Sequence, residues 1–397
     1  YGELGVYGQS IIKTPHIDRL AKEGMMFTDA HSSSAVCSPS RYSVLTGRYN
    51  WRSTLQKGIV PLYGDPLIKE NQITVPRFLK EHGYSSACIG KWHLGQGWDF
   101  EASSENFNPK PPVYHNKNNA FFDLQASPEQ CEFWQKSFSK KTKGGPTTRG
   151  FDYYFGVDVP NWPPYCYIEN DKTVGIPSEF LPERLLGDNL ASWSGPAMPY
   201  WNFEQLLPKW ANKANEFITE NANENPFFLY LPMTSPHTPL SVNKEWIGKS
   251  GLNNLYADLV METDDILGKV MLSLENNGIL DDTLIIFASD NGCAHYIGTD
   301  QMEEQGHFAS GPYRGYKSDA WDGGHRVPCV ARWPGVINAG QECNQLVCLS
   351  DLISTCAEIV GKPLPENAGE DSYSMMPLFK DPNVEIRDHI VHHSISG

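Results

Sequence analysis

The sequence lacks a run of 18 apolar residues, so no membrane-spanning segment is predicted. It is also poor in positive charge, since 32 Lys and Arg against 47 Asp and Glu give a formal net charge of -15. A nucleic-acid-binding protein needs a basic face for phosphates, so no nucleic-acid partner is expected. An anionic ligand would have to be held by cations that cluster locally. No signal peptide is recognised at the start of the sequence.

The nine cysteines form no CxxC pair and no metal-finger spacing, which argues against a disulfide scaffold and against structural zinc. The pattern leaves open whether Cys343 and Cys348 pair. No internal repeat is present. The length and the hydrophobic content of 40% predict one large domain over residues 1–381 and the start of a small C-terminal subdomain, cut short, over residues 382–397. Residues 387–393 predict a strand of this subdomain.

Helix and strand signals alternate along the chain. Residues 14–24 combine a capping threonine, a proline at the first helical position and a terminal glycine, which predicts a helix. The apolar runs 226–231 and 283–288 lack the alternation of a half-exposed strand and predict buried parallel strands. Residues 253–277 between them predict a long helix. The fold class is therefore α/β, with a large, mostly parallel sheet sandwiched by helices.

Polar residues follow three of the predicted strands at their carboxyl ends, where ligands of α/β sheets bind. Lys91 and His93 follow the first, His237 follows the second, and Asp290 with Asn291 follows the third. Taken singly, each is better explained by a turn or a capped loop. Because all three strands deliver polar groups to one edge, their joint occurrence predicts a catalytic site.

The segment Cys37-Ser38-Pro39-Ser40-Arg41 predicts the start of a helix, since Pro39 suits a first helical turn. Residue 37 would then lie at a helix N-terminus, where free N–H groups favour an anion. The segment resembles the maturation motif of the type I sulfatases, formylglycine-dependent enzymes of the alkaline-phosphatase superfamily. The resemblance extends from Tyr1 to about Asp381.

This resemblance implies a role for each matching position. The expected catalytic residues are Cys37 as the formylglycine precursor, Arg41 beside it, Lys91 and Lys317 as sulfate ligands, His93 in sulfate release and His237 at the leaving oxygen. Asp290 and Asn291 match metal ligands, and an all-oxygen site suits Ca²⁺ better than zinc. The family's other two metal ligands are consecutive aspartates at the end of an apolar strand, which we expect upstream of Tyr1.

The substrate pocket is less well defined by the sequence. Residues 100–210 are rich in Pro, Asn, Trp and Tyr and are interpreted as long insertions that wall it. Asn161, His325 and Arg326 are the candidate substrate-binding residues. The aromatic cluster of Trp162, Tyr165 and Tyr167 slightly favours core packing over stacking on a sugar ring.

The predicted function is hydrolysis of O-sulfate esters, with a sulfated carbohydrate as substrate by analogy alone. Two alternatives stay open: a phosphoester or phosphonate monoester hydrolase of the same superfamily, and a non-catalytic glycan-binding relative. The resemblance also implies a maturation enzyme that installs formylglycine as a partner, and a periplasmic or secreted location.

Overall fold

The computed structural model describes residues 1–100, 125–186 and 191–397. Its helices, numbered in chain order, are α1 Pro15–Lys22, α2 Cys37–Thr46, α3 Val75–Lys80, α4 Pro128–Phe138, α5 Leu206–Asn221, α6 Leu255–Asn276, α7 Thr299–Glu304, α8 Asp322–His325, α9 Leu352–Val360 and α10 Met376–Lys380. The strands are β1 Met25–Phe27, β2 Ala30–His31, β3 Ser85–Lys91, β4 Tyr153–Val157, β5 Tyr167–Glu169, β6 Lys172–Val174, β7 Glu179–Phe180, β8 Pro196–Ala197, β9 Phe227–Tyr230, β10 Ile285–Ala288, β11 Cys329–Arg332, β12 Gln341–Cys343 and β13 Val347–Cys348.

The two helices that the sequence predicts most clearly are α1 and α6, and both form. Helix α1 begins at Pro15 and buries Ile17 and Leu20 on one side. Helix α6 begins after Asn254, whose side chain accepts hydrogen bonds from the backbone N–H groups of Tyr256 and Ala257. Local capping chemistry therefore fixes where these helices start.

A five-stranded sheet forms one half of the core, in the order β6-β5-β4-β3-β9. Its central strand β3 runs parallel to both β4 and β9. Ala87 and Ile89 of β3 pack with α1, α5 and α6 on one face. Cys88 points to the other face and packs with α2. Helices thus cover both faces, which confirms the predicted α/β sandwich.

A second sheet has the order β10-β11-β1-β12. It is mixed, because β11 is antiparallel to both β10 and β1 whereas β12 is parallel to β1. Its strand β10 and strand β9 of the first sheet send apolar side chains into the same core cluster. Within the described residues, each of these two strands has a partner on one side only. The two strands line a common cavity of about 910 Å³.

The C-terminal segment differs from its prediction. Residues 387–393 were expected to form a strand, but the structure has a single bridge between Ser34 and His393. The N–H of Ala35 donates to the carbonyl of His393 at 2.9 Å, and the N–H of His393 donates to Ser33 at 3.1 Å. These few bonds hold the segment against the chain directly ahead of α2. The boundary at residue 381 stays a prediction.

Two further expectations concern cysteines and insertions. Cys343 and Cys348 are free thiols in the structure, so the pairing left open by the sequence is not formed. Of the predicted insertion, residues 101–124 and 187–190 lie outside the described part. No helix in the described residues is long and apolar enough to cross a membrane.

Candidate active site

The side chains expected to be catalytic meet at the carboxyl edge of the first sheet. Cys37 is the first residue of α2, and Lys91 is the last residue of β3. Both are buried, with 3% and 1% of their surface exposed. His237 and Asp290 follow β9 and β10, in the loops that lead away from the strand ends. The chain topology therefore places Cys37 together with the lysines and histidines, as the strand ends predict.

The thiol of Cys37 lies among cations. Lys317 Nζ is 3.4 Å from Cys37 Sγ, and the Lys317 backbone N–H donates to the carbonyl of Cys293 at 2.7 Å. Burial alone would raise the pKa of the thiol, but the charges of Lys317 and Lys91 and contacts with His237 and His93 lower this pKa well below its usual range. The surroundings of residue 37 therefore stabilise an anion.

Arg41 connects this pocket to the loop after β10. Its Nε lies 2.8 Å from Asp290 Oδ2, and its Nη1 donates to the carbonyl of Lys91 at 2.9 Å. Burial acts to lower the pKa of Arg41, but the carboxylate of Asp290 raises it above its ordinary value. The guanidinium remains charged and holds two strand ends at fixed distance.

Lys91 is the most deeply buried cation of the site. Burial lowers the pKa of its ammonium to about 8, although the anionic Cys37 works in the opposite direction. Near neutral pH the side chain keeps its proton, and its hydration shell is replaced by protein groups. A buried ammonium of this kind attracts an anion strongly because little water screens it.

His93 has a backbone φ of 55°, in the left-handed region that residues other than glycine seldom occupy. The backbone N–H of His93 donates to the carbonyl of Asp158 at 3.0 Å, and its ring atom Nε2 lies 3.2 Å from the carbonyl of Val60. Because a carbonyl only accepts, Nε2 carries the proton, and Nδ1 is left for Cys37. Burial lowers the pKa of His93 to about 4, so the imidazole is neutral at neutral pH.

His237 reaches Cys37 from the loop after β9, the strand that neighbours β3. Its Nδ1 lies 2.8 Å from the carbonyl of Thr238, which leaves Nε2 to face the pocket. Burial, together with the charges of Lys317 and Lys91, lowers its pKa to about 4. A bound anion would offset these charges and return the pKa of His237 toward its ordinary range.

Asp290 and Asn291 offer oxygen atoms to a metal ion. Asn291 Nδ2 donates to Gly292 at 2.9 Å, whereas its Oδ1 is buried and has no hydrogen-bond partner among the described residues. A buried amide oxygen without a donor is costly unless a cation or a water binds it. The pair therefore fits a hard cation, of which it would supply part of the ligand shell.

The three expected substrate-binding residues lie in different surroundings. Asn161 is buried, its Nδ2 donates to Ala191, and its Oδ1 is unpartnered within the described residues. Its neighbour Trp162 packs edge-on against His93, with ring centroids 5.8 Å apart. The structure thus brings this segment to the site, and substrate binding by Asn161 stays a prediction.

His325 and Arg326 have other partners. The guanidinium of Arg326 pairs with Asp29 at 2.9 Å and donates to the carbonyl of Thr28. The Nδ1 of His325 lies 3.0 Å from that of His31. These contacts direct both side chains toward other protein groups.

Asp158 is a site residue that sequence reasoning did not single out. It directly follows β4, as Lys91 closes β3, and burial raises the pKa of its carboxyl to about 7. Its Oδ1 has no partner among the described residues, although its backbone carbonyl holds His93. Its position immediately after a strand is the feature of the sequence that could have identified it as a site residue.

Solved structures define the fold class. A sulfatase from Bacteroides thetaiotaomicron, described in work on glycosaminoglycan metabolism, matches with a TM-score of 0.81 and 27% identity over 99% of this chain and 82% of its own. A sulfatase from Pseudoalteromonas sp. matches with a TM-score of 0.69 and 26% identity, over 98% and 71%. A phosphonate monoester hydrolase from Agrobacterium radiobacter, 18% identical with a TM-score of 0.54, shares the fold over 90% and 71%. The protein thus has the alkaline-phosphatase-like hydrolase fold.

The family follows from the sequence comparison. The model of the family described as Sulfatase matches residues 1–362, and the chain belongs to this family, whose members hydrolyse sulfate esters. It is 32% identical to an N-acetylgalactosamine-6-O-sulfatase of Bacteroides thetaiotaomicron, over all of this chain and 77% of that protein. It is 31% identical to human N-acetylgalactosamine-6-sulfatase, over 95% of this chain, but spans only 63% of the human protein. The predicted family and fold are confirmed.

Proposed function

We propose that the protein hydrolyses O-sulfate esters of a sulfated carbohydrate, with residue 37 converted to formylglycine. The observation that carries this proposal is the clustering of three cations around the side chain of residue 37: Lys91 and Arg41 are buried, and the half-buried Lys317 has its Nζ 3.4 Å from Sγ. Burying like charges together is unfavourable without a bound anion, and a sulfuryl group supplies that anion. The carbohydrate class is supported by the names of the N-acetylgalactosamine-6-sulfatase relatives.

The side chains around residue 37 divide the chemistry between them. A formylglycine, as its hydrate, would supply one hydroxyl that attacks sulfur as the S–O bond to the alcohol breaks. Deprotonation of its second hydroxyl would then expel sulfate and return the aldehyde. Lys91 and Lys317 hold the sulfuryl oxygens and oppose the negative charge that grows on them. His237 Nε2 delivers a proton to the departing alcohol, and His93 Nδ1 accepts a proton from the residue 37 side. Arg41 positions the carbonyl of Lys91 and the carboxylate of Asp290.

We also infer that Asp290 and Asn291 bind Ca²⁺. Oxygen donors of this type suit Ca²⁺, which would add positive charge beside the sulfuryl group. The cavity between β9 and β10 supports the expectation that an apolar strand carrying further carboxylates lies there, because both strand edges border it. The formylglycine-installing enzyme as a partner and a periplasmic or secreted location belong to the same proposal.

Parallel assays on the full-length protein test the activity. We expect the matured protein with Ca²⁺ to hydrolyse an aryl sulfate faster than the matching phosphate and phosphonate monoesters, and to desulfate N-acetylgalactosamine 6-sulfate within a panel of sulfated saccharides. Cys37→Ala is the inactive control. Preference for the phosphorus esters would replace the sulfatase assignment, and saccharide binding without turnover by matured protein would favour the non-catalytic alternative.

A further inference from the structure

Three histidines from distant parts of the chain lie close together, and one of them precedes the first residue of α2 by six positions. His31 ends β2, His325 ends α8, and His392 lies in the C-terminal segment. One ring nitrogen from each lies within 4.8 Å of the others. His31 and His325 are buried, and the rings of His325 and His392 stack with centroids 3.6 Å apart. We refer to these residues as the three-histidine cluster.

The outer nitrogen of each ring faces a hydrogen-bond acceptor. His31 Nε2 lies 2.9 Å from Asp29 Oδ1, His325 Nε2 lies 3.2 Å from the carbonyl of Ala320, and His392 Nδ1 lies 3.2 Å from the carbonyl of Ser32. Because these oxygens accept, each outer nitrogen carries the proton. The inner nitrogens, His31 Nδ1, His325 Nδ1 and His392 Nε2, are then left with lone pairs.

Two inner nitrogens approach closely, since His31 Nδ1 and His325 Nδ1 are 3.0 Å apart. Two imidazole lone pairs at this distance repel each other unless a proton or a metal ion lies between them. Anchoring of outer ring nitrogens by a carboxylate and by backbone carbonyls is also the arrangement that orients histidine ligands toward a metal. Asp29 is itself held by Arg326 at 2.9 Å, so its orientation is fixed.

We propose that the three-histidine cluster binds Zn²⁺ through these inner nitrogens. Three neutral imidazoles suit zinc, with Zn–N distances of about 2.0–2.1 Å and a fourth position for water. Binding requires the stacked rings of His325 and His392 to tilt relative to each other so that their lone pairs converge while their outer N–H groups keep their backbone acceptors. The all-nitrogen donor set separates this site from the oxygen pair of Asp290 and Asn291, which prefers a harder cation.

The ion would join the C-terminal segment to the chain ahead of the nucleophile. His31 lies six residues before Cys37, and His392 precedes His393, whose backbone bonds to Ser33 and Ala35. Without the ion, a few backbone bonds and the packed rings hold these segments together. Zinc therefore stabilises the approach to α2 without touching the reacting groups.

The test is a titration of the EDTA-stripped full-length protein with Zn²⁺ in Ca²⁺-saturated buffer. Calorimetry measures both the binding and the thermal unfolding. We expect one equivalent to bind and the thermal midpoint to rise. His325→Gln and His392→Gln should each weaken binding at least about tenfold, whereas His389→Gln, an exposed histidine of the same segment, should change nothing. Absence of Zn²⁺ binding in the wild type would overturn the proposal and assign the His31–His325 contact to a shared proton.

Crystals of the wild type grown with Zn²⁺ provide a second measurement that does not depend on folding of the variants. An anomalous-scattering peak among the three rings is the expected result. A peak confined to Asp290 and Asn291, or a Zn²⁺ affinity unchanged by the double substitution of His325 and His392, contradicts the proposal. Neither result depends on whether the protein hydrolyses sulfate esters.

Discussion

Arg41 Nε lies 2.8 Å from Asp290 Oδ2, although 249 residues separate them in the chain. The same guanidinium donates to the carbonyl of Lys91. One side chain of α2 therefore connects the end of β3 with the segment that follows β10, and these two strands belong to different sheets. The geometry of the anion pocket depends on this connection.

Replacement of Arg41 by Met should destabilise the protein. It leaves the carboxylate of Asp290, which is a quarter exposed, without its partner, and breaking such a pair costs about 3 kcal/mol. Arg19→Met is the matched control, since its pair with Glu23 is on the surface and contributes about 0–1 kcal/mol. Urea unfolding of the two variants measures the loss of unfolding free energy in each. Equal losses would show that the Arg41 pair is no more than a surface contact.

The elements that the sequence predicted well are those specified by local chemistry. Helix α6 begins one residue after its capping Asn254, and strands β9 and β10 lie within the expected apolar runs. Strand β10 was predicted to be parallel, but it pairs antiparallel with β11, which is distant in sequence and carries no signal that indicates this pairing. The expected terminal strand is absent because one bridge to Ser34 replaces a continuous ladder.

The residues of the candidate site likewise divide into those that local sequence patterns predict and those that only tertiary contacts identify. Motif positions such as Cys37 and Lys91 were identified from their place at a helix start and a strand end. Asp158 was missed, because its importance comes from burial and from its contact with His93, which are tertiary properties. The contact between His31 and His325 spans 294 residues, and no local pattern predicts it.

The chemical state of residue 37 is a direct prediction. In a host that matures sulfatases, the peptide containing residue 37 should carry an aldehyde, which intact-peptide mass spectrometry detects. Cys37→Ala should abolish turnover with little change in the far-ultraviolet circular dichroism. Cys131→Ser, at a half-buried cysteine on α4, should keep full activity. Fully active protein with an unmodified Cys37 would refute the formylglycine mechanism.

Unmatured protein should contain a thiolate at residue 37. Because Lys317 and Lys91 overcome the effect of burial and lower the pKa of Cys37, the thiolate persists as pH falls. We expect the rate of alkylation by iodoacetamide to stay nearly constant from pH 8 to pH 6, whereas an ordinary thiol slows about tenfold per pH unit. Lys317→Met should restore a pH-dependent rate, and the surface variant Lys249→Met should not. Mass spectrometry of quenched samples gives the rates.

The pH dependence of turnover should report His237. Burial and the nearby lysines lower its pKa to about 4, so the fraction able to donate a proton in the free protein falls as pH rises. We expect kcat/KM for a sugar sulfate to be higher near pH 5 than near pH 7. His237→Gln should remove this slope. An unchanged slope in that variant would assign the dependence to another group.

The roles of the two histidines are separable by leaving group. His237→Ala should slow release of the alcohol, and slow it least for an activated phenol that departs without a proton. His93→Ala should release about one equivalent of alcohol rapidly and then stop, because the proton acceptor on the residue 37 side is missing, and an activated phenol should not rescue it. Stopped-flow detection of the phenol and separate detection of free sulfate distinguish the two. Identical bursts and identical dependence on leaving-group pKa in both variants would show that these roles are wrongly assigned, even if the protein is a sulfatase.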